Sequence, residues 1–280
     1  MHPRALKRLL QLARPKRFNV IADGLDLFVE HVGTLRRDLA CLAEAGRPRG
    51  GAVLAALSEE EAAKVLILLD LVRMDTQDQR AASRQIARFY NHLARCIYVE
   101  VAEMRPANFG EVRAMVYMMR QSHFLDGPTG DDWIFRNQLM ARREDALYVD
   151  YVREEDGDRW TTPAAYDTTP SFYATSVQDL VLALHRLGGT SRASLDVIAQ
   201  AWAGHRIGDN THWRDISAVN RRVVEELAER NLALPEATTE DAGRVIERWP
   251  FPLGGLDVSA VEVPLSALEA ERARRFPYDD

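Results

Sequence analysis

One apolar seam near the start of the chain limits what this protein can fold into. Its members recur at alternating steps of four and three residues: Ile21, Leu25, Phe28, Val32, Leu35, Leu39 and Leu42. This spacing places every member on one side of an α-helix, as in helices that pack into bundles. Gly46 and Pro48 follow, and both are common helix stop signals. The pattern therefore predicts a helical bundle that begins with a long amphipathic helix.

Four further helices are predicted before residue 146, at about 51–74, 77–104, 109–122 and 131–145. Asn108 is the expected N-cap of the third of these. In the helix at 51–74, the apolar line through Leu54, Leu57, Leu68 and Leu71 also contains Glu61 and Lys64. In the helix at 77–104, the expected inward side chains are Ile86, Phe89, Leu93, Ile97 and Val101.

The pattern changes near residue 147, where β-forming residues and a Gly/Asp turn predict a small hairpin over 147–162. Further helices are predicted at about 175–187, 191–204, 211–231 and 239–248, with a short piece near 265–275. Their candidate N-caps are Thr190, Thr211 and Thr239. We expect a mainly α protein with three parts: a basic segment at 1–17, a helical bundle at 18–165 and a helical region of unknown role at 166–280.

Charge is unevenly distributed in a chain whose formal net charge is -6. Residues 1–17 carry six Lys or Arg residues and no acidic residue. This basic segment could be a presequence, a nucleic-acid-binding arm or a surface helix with Leu6, Leu9, Leu10 and Leu12 partly packed. The two cysteines, Cys41 and Cys96, are too few for a disulfide framework, and we expect both to be buried and reduced. No apolar run is long enough to cross a bilayer, so the expected location is the cytoplasm.

Glu60, Glu61 and Lys64 form the most informative local feature of the predicted helix at 51–74. Glu61 and Lys64 are three residues apart and can pair on one helix face. Charges on an apolar seam are costly to bury unless each has a partner. The pair could fix the packing of the bundle, face a substrate, or lie on a solvated surface.

A second constellation is the series Arg84, Arg88, His92 and Arg95, which would form one cationic stripe on a continuous helix. Such a stripe could hold a phosphate backbone, and a histidine can move protons near neutral pH. It could equally be an ordinary solvated face. His123, which lies between Arg120 and Asp126, could be structural or catalytic. No metal motif, Walker loop or dinucleotide fingerprint occurs, so we expect no cofactor and no metal.

Taken in order, these residues resemble the abortive-infection V (AbiV) family of the HEPN superfamily. Asp38 lies in the first long helix, and after a Gly/Pro/Arg link comes Glu60-Glu61-Ala62-Ala63-Lys64, which is similar to the family's Glu-Glu-x-Gly-Lys element. His92-Leu93-Ala94-Arg95 resembles its His-x-x-Lys element, and Arg143 with Leu147-Tyr148-Val149-Asp150, Trp160 and Pro163 resembles its later motifs. The resemblance covers roughly residues 18–165.

The resemblance implies a HEPN-like bundle, an antiviral role and a homodimer. Many HEPN proteins are metal-independent ribonucleases in which an arginine is followed, after four to six residues, by a histidine. This chain departs from that motif, because Arg88 is too close to His92 and Arg84 is too far from it. Arg206 and His212 have the required spacing but lie outside the resemblance.

Our leading hypothesis is a phage-defence protein that acts on RNA or the translation machinery, as a metal-independent endoribonuclease triggered by a phage protein. His92, Arg88 and Arg95 would be catalytic, with Glu60, Glu61 and Lys64 in support. Further candidates for the site are His123, Arg120, Arg143, Tyr148 and Asp150. The alternative is a non-catalytic helical interaction protein that binds a phage or host protein, in which the charged seam is purely structural.

Overall fold

The structure, a computed structural model, describes residues 5–74, 78–121, 137–154, 157–163 and 176–262, together with 264, 266–267, 270 and 273–274. The described part is mainly α-helical with one two-stranded hairpin, as predicted. Its elements in chain order are a 3-10 helix (Leu6–Gln11), α1 (Arg14–Glu44), α2 (Pro48–Arg73), α3 (Gln79–Arg88), α4 (His92–Glu103), α5 (Phe109–Met119), α6 (Gln138–Leu147), β1 (Asp150–Glu154), β2 (Gly157–Thr161), α7 (Ser176–Arg186), α8 (Arg192–Trp202), α9 (Trp213–Glu229) and α10 (Thr239–Arg248).

The long first helix and its apolar seam are confirmed. α1 packs along α2, and five members of the seam are buried: Ile21, Leu25, Val32, Leu35 and Leu39. Phe28 and Leu42 are half-buried. The seam therefore faces the bundle over most of the length of α1.

The central helix of the protein is α2, which contacts α1, α3, α4, α6, α7 and α8. From Glu60 to Arg73, every residue except Lys64 is buried. A helix that is apolar around its whole circumference belongs in the middle of a core, and residues 65–69 have that composition. The acidic residues Glu60 and Glu61 lie where this buried part of α2 begins.

The segment predicted as one helix over 77–104 is divided into α3 and α4, so the prediction of a continuous helix is wrong. Asn91 has extended backbone (φ -100, ψ 120), and its side chain accepts a hydrogen bond from the backbone N–H of Ala94. An asparagine in this position competes with helix continuation and starts a new helix instead. The predicted inward residues are nevertheless all buried: Ile86, Phe89, Leu93, Ile97 and Val101.

The predicted hairpin is confirmed, with antiparallel pairing of β1 and β2. Tyr151 is paired with Trp160, and their ring centroids are 5.1 Å apart. Both rings are exposed, Trp160 by 71% of its surface. The turn residues 155–156 lie outside the described part of the chain. The hairpin thus presents an aromatic pair to solvent.

Helices α7 to α10 begin and end within two residues of their predicted bounds. The observed N-caps of α8, α9 and α10 each lie one residue away from the predicted cap. The caps are Ser191 for α8, His212 for α9 and Thr238 for α10. α7 packs against α1, α2 and α4, and α8 packs against α1 and α2. One hydrophobic cluster draws side chains from both sides of the predicted boundary at 165. The division into parts stays a prediction.

A C-terminal segment, residues 249–258, is held against the bundle by buried polar groups. Arg73 lies between the rings of Trp202 and Trp249, 4.0 and 4.5 Å from their centroids, and donates to the backbone oxygen of Pro250 at 2.8 Å. Asp70 accepts from the N–H of Leu253 at 2.9 Å. These contacts fix residues 249–253 to the central helix α2.

Two further expectations concern the surface of the protein. Cys41 is exposed, so the prediction that both cysteines are buried is wrong for it, while Cys96 is half-buried. The exposed thiol follows from its position on the outer face of α1, away from the seam. Among the described residues, no helix combines the length and the apolar character that a membrane crossing requires.

Candidate functional site

Three side chains from two helices converge on the carboxylate of Glu60, and we call these four residues the Glu60 cluster. Glu60 of α2 accepts hydrogen bonds from the Nε of Arg143 of α6 at 2.6 Å and from the Nδ1 of His92 of α4 at 2.8 Å. The guanidinium of Arg95, one turn after His92, lies 3.0 Å from the same carboxylate. Three predicted site residues and one predicted supporting residue are therefore brought together.

Local sequence explains how α4 and α6 deliver these groups. Because Asn91 caps α4, His92 is its first residue and lies at the open end of the helix. Arg95 is three residues further on, on the same face. Asn137 caps α6 and also donates to the backbone oxygen of Met119 at 2.6 Å, which ties α6 to the end of α5.

The Glu60 carboxylate is compensated by more positive charge than it carries. Its side chain is 8% exposed, and those of Arg95 and Arg143 are 9% and 19% exposed. Burial by itself lowers the pKa of Arg143, but hydrogen bonds to Glu60 and Tyr148 raise it above its ordinary value. Each arginine has five N–H donors, more than the carboxylate can use. Arg95 also donates to the backbone oxygen of Asn91 at 3.4 Å, and Arg143 is also hydrogen-bonded to Tyr148. The cluster therefore carries an excess of positive charge over the single carboxylate.

His92 is the exposed member of the cluster, with 44% of its side chain accessible. Its Nδ1 lies near both the Glu60 carboxylate and the guanidinium of Arg95, at 2.8 and 3.0 Å. An ionised carboxylate only accepts hydrogen bonds, so the proton on Nδ1 points to Glu60. Within the described residues, the hydrogen bonds of the ring involve Nδ1 alone. With the proton on Nδ1, the other ring nitrogen, Nε2, is the acceptor of the imidazole.

Glu59 is an acidic group beside the cluster that sequence reasoning did not single out. Burial, and secondly the carboxylates of Glu103, Glu100 and Glu60, raise the pKa of Glu59 to about 7. Burial also raises the pKa of the neighbouring Cys96 to about 12, with Glu60 as the second cause. Because a thiol is nucleophilic only as the thiolate, Cys96 is an inert neighbour of the cluster.

Glu61 and Lys64 pair with each other beside the cluster. Lys64 Nζ lies 2.5 Å from Glu61 Oε1, and the same ammonium lies 5.5 and 5.4 Å from the ring centroids of Phe28 and Phe89. Such a partly buried cation gains from the aromatic faces as well as from its carboxylate. The pair joins α2 to α1 and to the end of α3.

Arg88 lies apart from the Glu60 cluster. It is 4% exposed and donates to the backbone oxygen of Leu253 at 2.8 Å, to that of Leu256 and to Gln85 Oε1. The division between α3 and α4 is the reason, because it removes Arg88 from the helix face that carries His92 and Arg95. Arg84 is exposed on α3.

The remaining predicted residues are spread over other regions. Arg120 binds Asp257 at 2.6 Å, near the C-terminal segment, and Tyr148 is linked to the cluster through Arg143. Asp150 begins β1, where its backbone is paired with Thr161. His123 lies outside the described residues. Of the spaced pair Arg206 and His212, the histidine caps α9.

Sequence reasoning missed Asn91 as the residue that positions His92 and Arg95. The sequence did indicate this role, because Asn91 directly precedes a helical segment that begins with His92, and asparagine is a common N-cap residue. In the described ranges, no group of three His, Cys, Asp or Glu side chains has an arrangement suited to a metal ion.

Comparison with known proteins gives one family match. The model of the HEPN_AbiV family, described as AbiV, matches residues 20–178, which is more than half of the chain. This range contains all four residues of the Glu60 cluster. No curated protein and no solved structure matches.

Proposed function

Because this chain belongs to the AbiV family of HEPN proteins, we propose that it acts in abortive infection as a metal-independent endoribonuclease with its site at the Glu60 cluster. One observation carries the proposal. The exposed imidazole of His92 is held at Nδ1 by a buried carboxylate, and two arginines contact the same carboxylate. A base, a group that orients it and cations for a phosphate are the parts that RNA cleavage without a metal requires.

In the proposed reaction, the neutral His92 ring takes the proton of a ribose 2′-hydroxyl through Nε2. The 2′-oxygen bonds to the adjacent phosphorus, and the bond from phosphorus to the 5′-oxygen breaks. The leaving 5′-oxygen takes a proton from water, and a 2′,3′-cyclic phosphate remains. Arg95 and Arg143 stabilise the charge that develops on the phosphate oxygens. Glu60 stabilises the imidazolium that forms.

This reaction gives each predicted residue of the cluster a role. Arg95 and Arg143 bind the phosphate in place of Arg88, because Arg88 is hydrogen-bonded to the C-terminal segment. Glu61 and Lys64 support the part of α2 that carries Glu60. The substrate is RNA, including the RNA of the translation machinery, and we expect a homodimer and a phage protein as trigger.

A second candidate function is non-catalytic binding of a phage or host protein. The observation that favours it is the exposed aromatic pair Tyr151 and Trp160 on the hairpin. Aromatic side chains of this kind are enriched in protein interfaces. Under this alternative, the Glu60 cluster only joins α2, α4 and α6.

The two functions are distinguished by the His92→Ala variant of the purified full chain. We expect it to lose RNA cleavage while its melting temperature stays close to that of the wild type, since the ring is 44% exposed. His31→Ala, an exposed histidine on α1, is the matched control and should cleave normally. Undiminished cleavage by His92→Ala would contradict the proposed site. A wild-type protein that cleaves no RNA would favour the binding function.

A further inference from the structure

A basic surface forms where two segments of the chain meet on the outside of the bundle. The 3-10 helix at Leu6–Gln11 packs against α3. Lys7 and Arg8 are exposed on the first, and Arg80 and Arg84 are exposed on the second. We call these four residues the η–α3 surface, where η denotes the 3-10 helix. Among the described residues, no ion pair involves any of the four.

The composition of the two segments makes this surface unusual for the chain. The protein has 42 acidic residues among 280 and a net charge of -6, yet residues 5–22 and 79–99 contain none. Asp78 is the acidic residue described next to α3, and its carboxylate accepts hydrogen bonds from the backbone N–H groups of Arg80 and Ala81. Its charge stabilises the N-terminus of α3 and also interacts with Arg84 and Arg80. Four exposed cations and one capping carboxylate leave a net positive charge here, opposite in sign to the net charge of the protein.

The apolar residues of the 3-10 helix decide which kind of polyanion this surface fits. Leu9 is 5% exposed, and Leu6, Leu10 and Leu12 pack against the core. A helix that binds a membrane surface needs an apolar face free to enter the lipid. Here that face is used inside the protein, so the exposed cations are suited to a polyanion that stays in water. A phosphate backbone of RNA is such a partner.

The position of α3 connects this surface to the Glu60 cluster. α3 ends at Arg88, and His92 follows after three residues as the start of α4. The eight residues from Arg84 to His92 span at most about 29 Å even when fully extended. One extended RNA strand that contacts Arg84 can therefore reach the exposed imidazole.

We propose that the η–α3 surface binds the phosphate backbone of single-stranded RNA and holds the strand whose neighbouring part enters the Glu60 cluster. The proposal rests on the proposed function for the identity of the polyanion as RNA. Contacts to phosphate give affinity without sequence preference. The surface thus sets the affinity for the strand, and the cluster performs the cleavage.

The test measures binding of a short fluorescent RNA oligonucleotide to the full chain in the His92→Ala background, where the RNA should stay intact. The test variant carries Lys7→Ala, Arg8→Ala, Arg80→Ala and Arg84→Ala. The matched control removes the same charge at four other exposed arginines: Arg49, Arg206, Arg214 and Arg221. We expect the test variant to bind at least about tenfold more weakly and the slope of log K against log salt to fall by up to about 3. The control should change both quantities little.

Three results would overturn the proposal. They are unchanged RNA binding in the test variant, an equal loss in the control, and binding of anionic phosphatidylserine vesicles that depends on the four residues while RNA binding does not. The paired variants Lys7→Ala/Arg8→Ala and Arg80→Ala/Arg84→Ala, each expected to lose part of the affinity, replace the test variant if its melting temperature falls.

Failure of this proposal is distinguishable from failure of the proposed function. In one outcome, the wild type cleaves no RNA, and the four substitutions weaken RNA binding. This result would refute the ribonuclease activity and support the RNA-binding role of the η–α3 surface. In the other outcome, cleavage depends on His92, and the four substitutions leave RNA binding unchanged. This result would support the ribonuclease activity and refute the RNA-binding role of the surface.

Discussion

At the scale of single residues, Glu60 and Glu59 are neighbours on α2 with opposite surroundings. The carboxylate of Glu60 forms hydrogen bonds and ion pairs with His92, Arg95 and Arg143. Glu59 lies near other carboxylates. Burial, and secondly the repulsion from these carboxylates, raises the pKa of Glu59 to about 7. A carboxyl group in this environment prefers its protonated form. Glu59 therefore lowers the stability of the fold when it is ionised.

This environment predicts a dependence of stability on pH. An unperturbed glutamate has a pKa of 4.5, whereas Glu59 holds its proton in the fold up to about pH 7. Between these values the native state binds more protons than the unfolded state, so the contribution of Glu59 to the free energy of unfolding falls as pH rises. Glu59→Gln should be more stable than the wild type at pH 8, by on the order of 2 kcal/mol.

Chemical denaturation at several pH values measures this effect. The difference between Glu59→Gln and the wild type should shrink as pH falls from about 7 towards 4.5. Glu44→Gln, an exposed glutamate at the end of α1, should follow the wild type throughout. A constant difference across the pH range would show that the pKa of Glu59 is ordinary in the fold.

At the scale of elements, the periodicity of the sequence predicts which segments are helical, but it does not predict where one helix ends and the next begins. The seam of α1 and the inward residues of α3 and α4 could be predicted because burial imposes a 3.6-residue period. The division at Asn91 does not appear in this periodicity, because the period of buried residues continues across it, and the capping asparagine is the one local sign of it. That division decides the site, since it separates Arg88 from His92 and Arg95.

The cap of α4 gives a prediction at this scale. Asn91→Ala removes the hydrogen bond to the N–H of Ala94 and should lower the free energy of unfolding by about 1 kcal/mol. Because α4 begins with His92, we also expect RNA cleavage to fall. Asn108→Ala removes the equivalent cap of α5, where the side chain accepts from Glu111 N–H. This control should lose similar stability and retain cleavage, and equal cleavage by both variants would contradict the role of Asn91.

At the scale of the whole molecule, the C-terminal segment completes the bundle. Arg73, Asp70 and Arg88 are buried and bind backbone groups of residues 250–256. The residues of the Glu60 cluster were each named from the sequence, but their convergence depends on how α2, α4 and α6 pack. No spacing within one segment contains that information. The binding of Arg88 to a segment more than 160 residues away was inaccessible for the same reason.

Two arginines on α3 test the role of the C-terminal segment. Arg88→Ala leaves the carbonyl oxygens of Leu253 and Leu256 without their donor and should cost on the order of 3 kcal/mol of stability. Arg84→Ala, one turn away and exposed, should change stability by less than about 0.5 kcal/mol. Thermal and chemical denaturation measure both. Equal stability of the two variants would mean that the segment is not held by Arg88.

Cleavage of RNA by the Glu60 cluster during phage infection is the function that we propose. Its most direct test is to map new RNA 5′ ends in infected bacterial cells that express the wild type, His92→Ala or His31→Ala at equal levels. We predict that new 5′ ends and protection from phage occur with the wild type and with His31→Ala, and that both are lost with His92→Ala. Protection by His92→Ala equal to that of the wild type, without new 5′ ends in any of these cells, would contradict the account.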